Sequence, residues 1–236
     1  KNREPVTAAM IRQRYESIAR GGELIGIGDR PIAAGGQRAL SGLVEVDPHW
    51  PGHGFTVLPV DVITAFGMMA RSLRDIFRVK GIPIDEVAIS PPDQGREKVA
   101  KRFAKTFFGN EVENIRTHLF TVAKERRGDE VFSYLTDPDR FVKSGSKYVV
   151  IFDDLVASAK TLEQAALAYQ KQGIPMGSIW LVAVHAVLTP GAKERLEKLG
   201  VGGILFTNST DLDREEFPEN VRVLDVGRVV APAGDD

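Results

Sequence analysis

The sequence contains no cysteine, which excludes disulfide bridges and thiolate chemistry and fits a reducing compartment. No apolar run approaches the roughly 20 residues that a membrane-spanning helix needs. The charged start of the chain also lacks the apolar core of a secretory signal. Neither sign of charge is in excess, since 31 basic and 32 acidic residues leave a formal net charge of −1. We therefore expect a cytoplasmic protein that binds neither membranes nor nucleic acid.

The composition is that of an ordinary globular protein, with 43% of the 236 residues hydrophobic and 27% charged. A chain of this length can bury one good core or two small ones. Seven glycines fall within residues 20–42, which show little periodicity, so we interpret that segment as a surface insertion.

Strand and helix patterns alternate along most of the chain. The runs "GLVEVD", "GFTVLPV", "DEVAIS", "KYVVIFDD" and "SIWLVAVHAVL" are typical of strands. The runs "VITAFGMMARSLRDIFRVKG", which Gly81 closes, "GREKVAKRFAKTF", "KTLEQAALAYQKQG" and "GAKERLEKLG" are typical of helices. This alternation predicts an α/β fold with a mainly parallel sheet flanked by helices. The stretch "RTHLFTVAKE" predicts a further strand, and the dense charge of residues 124–146 predicts a loop after it.

Two acids stand at the exit of the most apolar predicted strand. Asp153 and Asp154 follow four apolar residues and precede the turn Ala157-Ser158-Ala159-Lys160-Thr161, after which a helix begins. The helix N-terminus offers unpaired N–H groups to a phosphate, and Ser158 and Thr161 add hydroxyl donors. The carboxylates can accept hydrogen bonds from ribose hydroxyls or hold a hydrated Mg²⁺. The pattern predicts a sugar-phosphate site.

Other polar residues also lie at predicted strand exits. For a single residue of this kind a role in a cap or turn is the more frequent explanation, but several at one edge of a parallel sheet favour a site. These residues are Asp47, His49, Ser90, Asp93, Lys124, Arg126, His185 and Thr207 to Thr210.

The turn after Asp154 resembles the ribose-phosphate loop of the phosphoribosyltransferase fold. Apart from residues 20–42, nearly the whole chain resembles one branch of that fold, the ribose-phosphate pyrophosphokinase (PRPP synthetase) family. The resemblance implies a type I phosphoribosyltransferase-like domain over residues 60–236, a partial second lobe of the same kind over residues 1–59, and a homo-oligomer. It is carried by six ordered segments: "REPVTAAMI", "VEVDPHWPGHGF", "LPVD", "SPPDQGREKVA", "AKERRGDEV" and "VHAVLTPGAKERLEKLGVGGILFTNST".

The resemblance also implies a reaction and roles for the matched residues. The reaction is the transfer of diphosphate from ATP to ribose 5-phosphate, which gives PRPP and AMP for nucleotide biosynthesis. The matched residues are His49 and Asp93 for Mg²⁺ and ATP, Lys124 and Arg126 for the diphosphate group in transfer, Asp153 and Asp154 for the ribose, and the turn from Ala157 to Thr161 for the 5-phosphate.

Two segments depart from the family's pattern. The phosphate turn usually reads Asp-Thr-Gly-Gly-Thr, whereas Ala157 here replaces the leading acid, and Ala159 and Lys160 replace the glycines. Arg96 stands where the family has a glycine that lets phosphate come close. Three interpretations remain open: an active diphosphokinase, a catalytically impaired homologue that acts as a regulatory or associated subunit, and a phosphoribosyltransferase that consumes PRPP.

Overall fold

The computed structural model describes residues 43–47, 60–109, 111–127, 130–210, 212 and 217–227. By packing, the chain divides into two compact units, Lys1–Ile63 and Thr64–Asp236. In the first unit, strands β1 (Leu43–Val46) and β2 (Val60–Ile63) pair in parallel. The predicted strand "GLVEVD" is confirmed, and most of the predicted strand "GFTVLPV" lies outside the described residues.

The second unit alternates helices and strands. Its elements in chain order are α1 (Phe66–Lys80), β3 (Val87–Ser90), α2 (Glu97–Phe108), α3 (Val112–His118), β4 (Val122–Arg127), β5 (Glu130–Leu135), α4 (Pro138–Lys143), β6 (Tyr148–Val156), α5 (Lys160–Gln170), β7 (Ile179–Ala186), α6 (Ala192–Lys198), β8 (Gly203–Thr207) and β9 (Val221–Leu224). Five of the strands form one parallel sheet in the order β3-β6-β7-β8-β9. The predicted fold class, a mainly parallel sheet flanked by helices, is confirmed.

Strands β6 and β7 occupy the middle of this sheet because both of their faces are apolar. Every residue from Val149 to Phe152 and from Ile179 to Val184 is buried. A strand with one face in water would show polar residues at alternate positions, whereas a strand covered by helices on both sides reads as a continuous apolar run.

Helices α1 and α2 cover one face of the sheet through aromatic side chains. The ring of Phe103 on α2 stacks on Phe152 of β6, with ring centroids 4.0 Å apart. Phe66 on α1 meets the ring of Phe152 edge-on at 5.1 Å. Burial of one such side chain contributes about 1.5–3 kcal/mol. These contacts fix α2, and with it the loop that enters α2, against the central strand of the sheet.

Helix α5 covers the opposite face. Its Leu162 and Tyr169 are fully buried, and the ring of Tyr169 packs at 5.2 Å against Phe141 of α4.

The predicted stop of α1 is confirmed, because Gly81 takes the left-handed conformation with φ of 67° directly after Lys80. Over the described ranges, the helices are all too short or too polar to cross a membrane.

Most of the described residues within 124–146, where the dense charge predicts a loop at some point, form regular secondary structure. Strand β4 pairs with β5 in an antiparallel hairpin, in which Lys124 lies opposite Ser133, and α4 follows. The strand alternation is present in β5, where Ser133 is buried between the exposed side chains of Phe132 and Tyr134. The run "KERR" hides this pattern in β4, because charged residues are poor indicators of a strand. Only the end of the predicted strand "RTHLFTVAKE" is strand, since its first residues belong to α3.

Candidate active site

Strand β6 carries both predicted ribose-binding acids near the edge where the parallel strands end. Asp153 and Asp154 are only 6% and 5% exposed. The strand does not stop at these acids, as the sequence predicted, but continues to Val156 because its last residues still pair with β7. The central strands of the sheet therefore hold the acids in place, and no loop motion is needed to position them.

The cation that faces the two acids is Arg96, from the loop between β3 and α2. Its Nη1 donates a hydrogen bond to Oδ2 of Asp154 at 3.3 Å, and its Nε lies 3.7 Å from Oδ1 of Asp153. The same Oδ1 accepts a hydrogen bond from the backbone N–H of Asp154 at 2.9 Å. Because β3 pairs with β6 in the sheet, the loop after β3 brings Arg96 over the acids.

The environment of Asp153 changes its charge at neutral pH. Its pKa is raised from the ordinary value of 3.8 to about 7, mainly because of burial and then because Asp154 lies beside it, while Arg96 acts in the opposite direction. Near neutral pH Asp153 is therefore only partly ionised. The guanidinium of Arg96 faces the negative charge that remains on this carboxylate.

The predicted phosphate turn leads into α5 and leaves the start of that helix without a side-chain cap. Ala159 takes the left-handed conformation with φ of 58° and ψ of 0°. Glycine adopts this conformation without a steric penalty, and alanine adopts it at a cost of about 1–2 kcal/mol. The backbone thus follows a path that favours glycine, although the sequence has replaced glycine at this position. The uncapped N–H groups and the positive end of the helix dipole suit an anion.

Two carbonyl groups of the turn are held by neighbouring segments. The backbone N–H of Thr189 donates to the carbonyl of Ala157 at 3.1 Å, and Nη1 of Arg195 on α6 donates to the carbonyl of Ser158 at 2.7 Å. Nε of Arg195 also pairs with Oε2 of Glu163 on α5 at 3.0 Å. Sequence reasoning missed Arg195, because its position in a charged helix is typical of a solvated surface.

The polar side chains of the turn remain available to a ligand. Within the described part of the chain, the side chains of Ser158, Lys160 and Thr161 form no hydrogen bond or ion pair. Lys160 is exposed and is the first residue of α5. A cation at a helix N-terminus is opposed by the helix dipole, typically by 0.3–1 kcal/mol. This unfavourable position is explained if Lys160 binds an anion there.

The hairpin brings the predicted catalytic lysine to the loop that carries Arg96. Nζ of Lys124 lies 2.8 Å from Oδ2 of Asp93, with both side chains about one third exposed. The backbone N–H of Arg96 donates to the carbonyl of Asp93 at 3.1 Å and closes a short turn. This turn contacts the hairpin through Asp93 and the acid pair through Arg96. Arg126 lies in β4 with Lys124, but its side chain is outside the described part of the structure. His49 lies outside the described residues altogether.

The polar residues at and after the ends of β7 and β8 bond mainly to one another and to backbone carbonyls. The hydroxyl of Thr207 donates to the carbonyl of Val184 at 2.7 Å, and Thr210 donates to the carbonyl of Ala186 at 2.8 Å. Nδ1 of His185 lies 2.8 Å from the hydroxyl of Ser209. Both threonines thus satisfy backbone carbonyls at strand ends, which is the structural role that is more frequent for such residues.

The resemblance implies Mg²⁺, and the carboxylates of the site suit this ion unequally. Asp93 offers a partly exposed hard oxygen donor, which is the chemistry that Mg²⁺ prefers, and Lys124 contacts only one of its two oxygens. The acid pair already has a guanidinium against an oxygen of each carboxylate. No group of three or more potential metal-ligating side chains occurs among the described residues. Among the described residues, Asp93 can therefore supply one ligand to a Mg²⁺ ion whose other ligands are water and phosphate oxygens, whereas the guanidinium between Asp153 and Asp154 leaves that pair less suited to the ion.

Comparison with known proteins finds the family that the motifs resemble. The chain is 24% identical over 234 residues to a ribose-phosphate pyrophosphokinase of Staphylococcus aureus strain Mu50, covering 99% of this chain and 62% of the relative. It is 28% identical over 202 residues to the ribose-phosphate pyrophosphokinase of Bifidobacterium longum strain NCC 2705, covering 85% of this chain and 54% of the relative. No family model matches the sequence.

The fold is similar to that of a solved structure of the same kind. Phosphoribosylpyrophosphate synthetase from Mycobacterium smegmatis superimposes with a TM-score of 0.68 at 19% identity, over 97% of this chain and 62% of that chain. The likeness to ribose-phosphate pyrophosphokinases is confirmed, as is the phosphoribosyltransferase-like fold. The chain spans less than two thirds of the length of these relatives.

Proposed function

We propose that this chain carries out ribose-phosphate diphosphokinase chemistry, transferring diphosphate from ATP to ribose 5-phosphate to give PRPP and AMP. The observation that carries the proposal is the convergence of three features at one edge of the sheet. These are the buried acid pair of β6, the uncapped turn into α5, and the lysine that the hairpin holds against Asp93. The names of the relatives support the same reaction.

The acid pair and the turn together suit a phosphorylated sugar. The phosphate meets the N-terminus of α5, where Lys160 adds a positive charge and Ser158 and Thr161 add donors. The sugar hydroxyls donate to the carboxylate oxygens of Asp153 and Asp154, which lie on β6 shortly before the turn. A phosphate at one end and vicinal hydroxyls at the other are the features that such a site recognises.

The hairpin and the loop after β3 serve the diphosphate. Transfer of a phosphoryl or diphosphoryl group depends mainly on positioning and on neutralisation of charge in the transition state. Lys124 supplies a cation on the two-stranded hairpin, and Arg126, two residues along the strand, is proposed to supply a second. Mg²⁺ bound at Asp93 would neutralise phosphate oxygens of ATP. The role of His49, which lies outside the described residues, stays a prediction from the sequence.

A second candidate is an impaired homologue that acts as an associated subunit. Two observations favour it: Arg96 pairs with the acids that would receive the ribose, and Ala157 lacks the carboxylate of the family's turn. In this case the fold and the surfaces for assembly are kept while turnover is lost. If a ligand displaces Arg96 from the acids or binds beside it, the acids can still receive the ribose, and the diphosphokinase function applies.

The remaining parts of the proposal depend on the family resemblance. We propose that residues 1–59 belong to a partial second phosphoribosyltransferase-like lobe, that the protein assembles as a homo-oligomer, and that it acts in the cytoplasm in nucleotide biosynthesis. Light scattering of the purified chain measures the assembly directly, and a monomer at working concentration would contradict that part.

Formation of AMP tests the proposed reaction. The full-length chain is incubated with ATP, Mg²⁺ and ribose 5-phosphate, and AMP and PRPP are measured by chromatography. We expect equal amounts of both products, at a rate that depends on ribose 5-phosphate. If AMP forms no faster than in a blank while calorimetry detects ribose 5-phosphate binding, the impaired homologue is the correct interpretation. If neither turnover nor binding is found, the proposed substrate is wrong.

A further inference from the structure

We propose that Arg96 is a built-in cation of the acid pair: its guanidinium takes the place that a divalent cation would occupy at Asp153 and Asp154, so that this pair binds a ribose phosphate without a metal ion. The proposal deepens the proposed function, since it takes the sugar phosphate from it. Metal binding at the acid pair can be measured whether or not the protein turns over substrate.

The buried acid pair needs a positive charge or hydrogen-bond donors facing it. Asp153 and Asp154 are almost fully buried, and a buried carboxylate is strongly destabilising unless a cation or hydrogen-bond donors face it. Arg96 meets this need from a side chain that is itself 29% exposed, with separate nitrogens directed at the two carboxylates. A planar guanidinium with several donors can serve two carboxylates at once, which a lysine ammonium does less well.

The guanidinium of Arg96 excludes a metal ion from the acid pair both sterically and electrostatically. Mg²⁺ requires oxygen ligands at about 2.0–2.1 Å in an octahedral shell and usually keeps several waters. Nη1 of Arg96 lies 3.3 Å from Oδ2 of Asp154, so the guanidinium stands where that shell would form. The two cations would also repel one another across a partly buried site. The guanidinium and the metal ion are therefore alternatives at this pair.

The local backbone positions Arg96 over the acid pair. The 3-10 turn Gln94–Arg96 lies beside β4, and the backbone N–H of Arg96 is bonded to the carbonyl of Asp93. With φ of −104° and ψ of 6°, Arg96 does not need the left-handed freedom of glycine. An arginine in place of glycine therefore fits the loop without backbone strain, and it adds a charge that glycine cannot provide.

The guanidinium also has donors for the ligand. A sugar hydroxyl that donates to Asp153 or Asp154 has its oxygen beside Arg96, whose N–H groups can donate to that oxygen. Hydrogen bonds that involve a charged group are stronger than those between two neutral groups. The acid pair and Arg96 together thus recognise a hydroxyl both as a donor and as an acceptor.

The experiment measures metal and sugar binding on the full-length chain, without nucleotide. Calorimetry gives the affinity for ribose 5-phosphate in EDTA and in Mg²⁺, and electron paramagnetic resonance of Mn²⁺ gives metal binding. The variants are Arg96→Gln, which removes the charge, and Arg96→Lys, which keeps it. The control is Lys98→Gln, two residues along the chain, which removes the same charge from an exposed side chain with no ion pair among the described residues.

We expect the wild-type affinity for ribose 5-phosphate to be the same in EDTA and in Mg²⁺, within about twofold. Arg96→Gln is expected to lose about tenfold in EDTA, the effect of one lost charged hydrogen bond, and to regain much of that loss in Mg²⁺. The same variant is expected to bind Mn²⁺ at least about tenfold more tightly than wild type, because a positive charge that faces both carboxylates has been removed. Arg96→Lys and Lys98→Gln are expected to bind Mn²⁺ like wild type.

Two results would overturn the proposal. One is sugar binding by wild type that disappears in EDTA, which needs no variant to interpret. The other is identical Mn²⁺ binding by wild type and a folded Arg96→Gln, with folding checked by circular dichroism. If wild type binds no ribose 5-phosphate in either buffer, the proposed substrate fails, and the Mn²⁺ comparison alone decides whether Arg96 replaces a metal ion.

Discussion

Nζ of Lys124 lies 2.8 Å from Oδ2 of Asp93, so an ion pair joins the β4–β5 hairpin to the loop after β3. The next charged residue of that loop, Arg96, pairs with Asp153 and Asp154. Positive and negative groups therefore alternate along the edge of the sheet. A highly charged substrate can bind at this edge by replacing one ion pair with another. Such an exchange costs less free energy than separating two paired charges without replacing either partner.

The first prediction concerns Lys124 as the catalytic cation. Lys124→Ala is expected to lower kcat by at least about a hundredfold, because it removes a preorganised charge from the transition state. The KM for ribose 5-phosphate is expected to change far less, since the hairpin acts on the transferred group. Steady-state kinetics of AMP formation measure both values. Lys98→Ala is the control, and an equal loss of activity in both variants would contradict the assignment.

The second prediction concerns the left-handed residue of the turn. Ala159→Gly is expected to raise the free energy of unfolding by about 0.5–1 kcal/mol, because relief of the left-handed conformation outweighs the greater freedom of glycine in the unfolded chain. Ala165→Gly in the middle of the same helix is expected to lower it by about 1 kcal/mol or more. Urea unfolding followed by circular dichroism measures both changes. A destabilised Ala159→Gly would show that the turn does not hold this backbone conformation in solution.

Much of the fold could be predicted from the sequence because its signals are local. The apolar runs of β6 and β7, which are covered on both faces, leave no other placement than the centre of a parallel sheet. Helix ends were equally clear where a glycine follows, as at Gly81. The β4–β5 hairpin was missed because its pairing depends on contacts with the domain and its own residues are mostly charged.

The candidate site could be predicted only in part, for a similar reason. The acids and the turn are contiguous in the sequence, so their association is local. Arg96 and Asp154 are 58 residues apart, and only the pairing of β3 with β6 brings them together. Arg195 reaches the carbonyl of Ser158 across 37 residues. No local pattern encodes such contacts, although the replacement of a glycine by Arg96 did indicate that this loop had changed.

The third prediction concerns the pH dependence of stability. Below about pH 4, Asp153 is protonated in both the folded and the unfolded chain. Between about pH 4 and 7 the unfolded chain loses this proton while the folded chain keeps it, because the folded pKa is raised to about 7. The contribution of Asp153 to stability therefore falls as the pH rises through this window. Asp153→Asn is expected to remove that fall.

Unfolding in urea at several pH values between 4 and 8 measures this effect. The difference in free energy of unfolding between wild type and Asp153→Asn is expected to shift in favour of the variant as the pH rises, and to level off above about pH 7. Asp137→Asn, an exposed capping carboxylate on α4, is the control for a general effect of removing an acid. A difference that is independent of pH would show that the folded pKa of Asp153 is not raised.

The last prediction decides between an active enzyme and an impaired homologue. Ala157→Asp combined with Lys160→Gly restores two positions of the family's phosphate turn. In an active enzyme Lys160 already serves the phosphate, so the double change is expected to weaken ribose 5-phosphate binding by about tenfold. In an impaired homologue it is expected to raise the affinity from undetectable to measurable, because an acid and a flexible residue return to the turn.

We expect weaker binding. Lys160 is exposed, has no partner among the described residues, and stands at a helix N-terminus that opposes a cation. A bound phosphate removes that opposition, since the anion then lies between the ammonium group and the helix. Calorimetry of the full-length double variant in Mg²⁺ measures the effect, and Lys160→Gly alone separates the loss of charge from the gain of the acid. Tighter binding in the double variant would contradict the diphosphokinase proposal and favour the associated subunit.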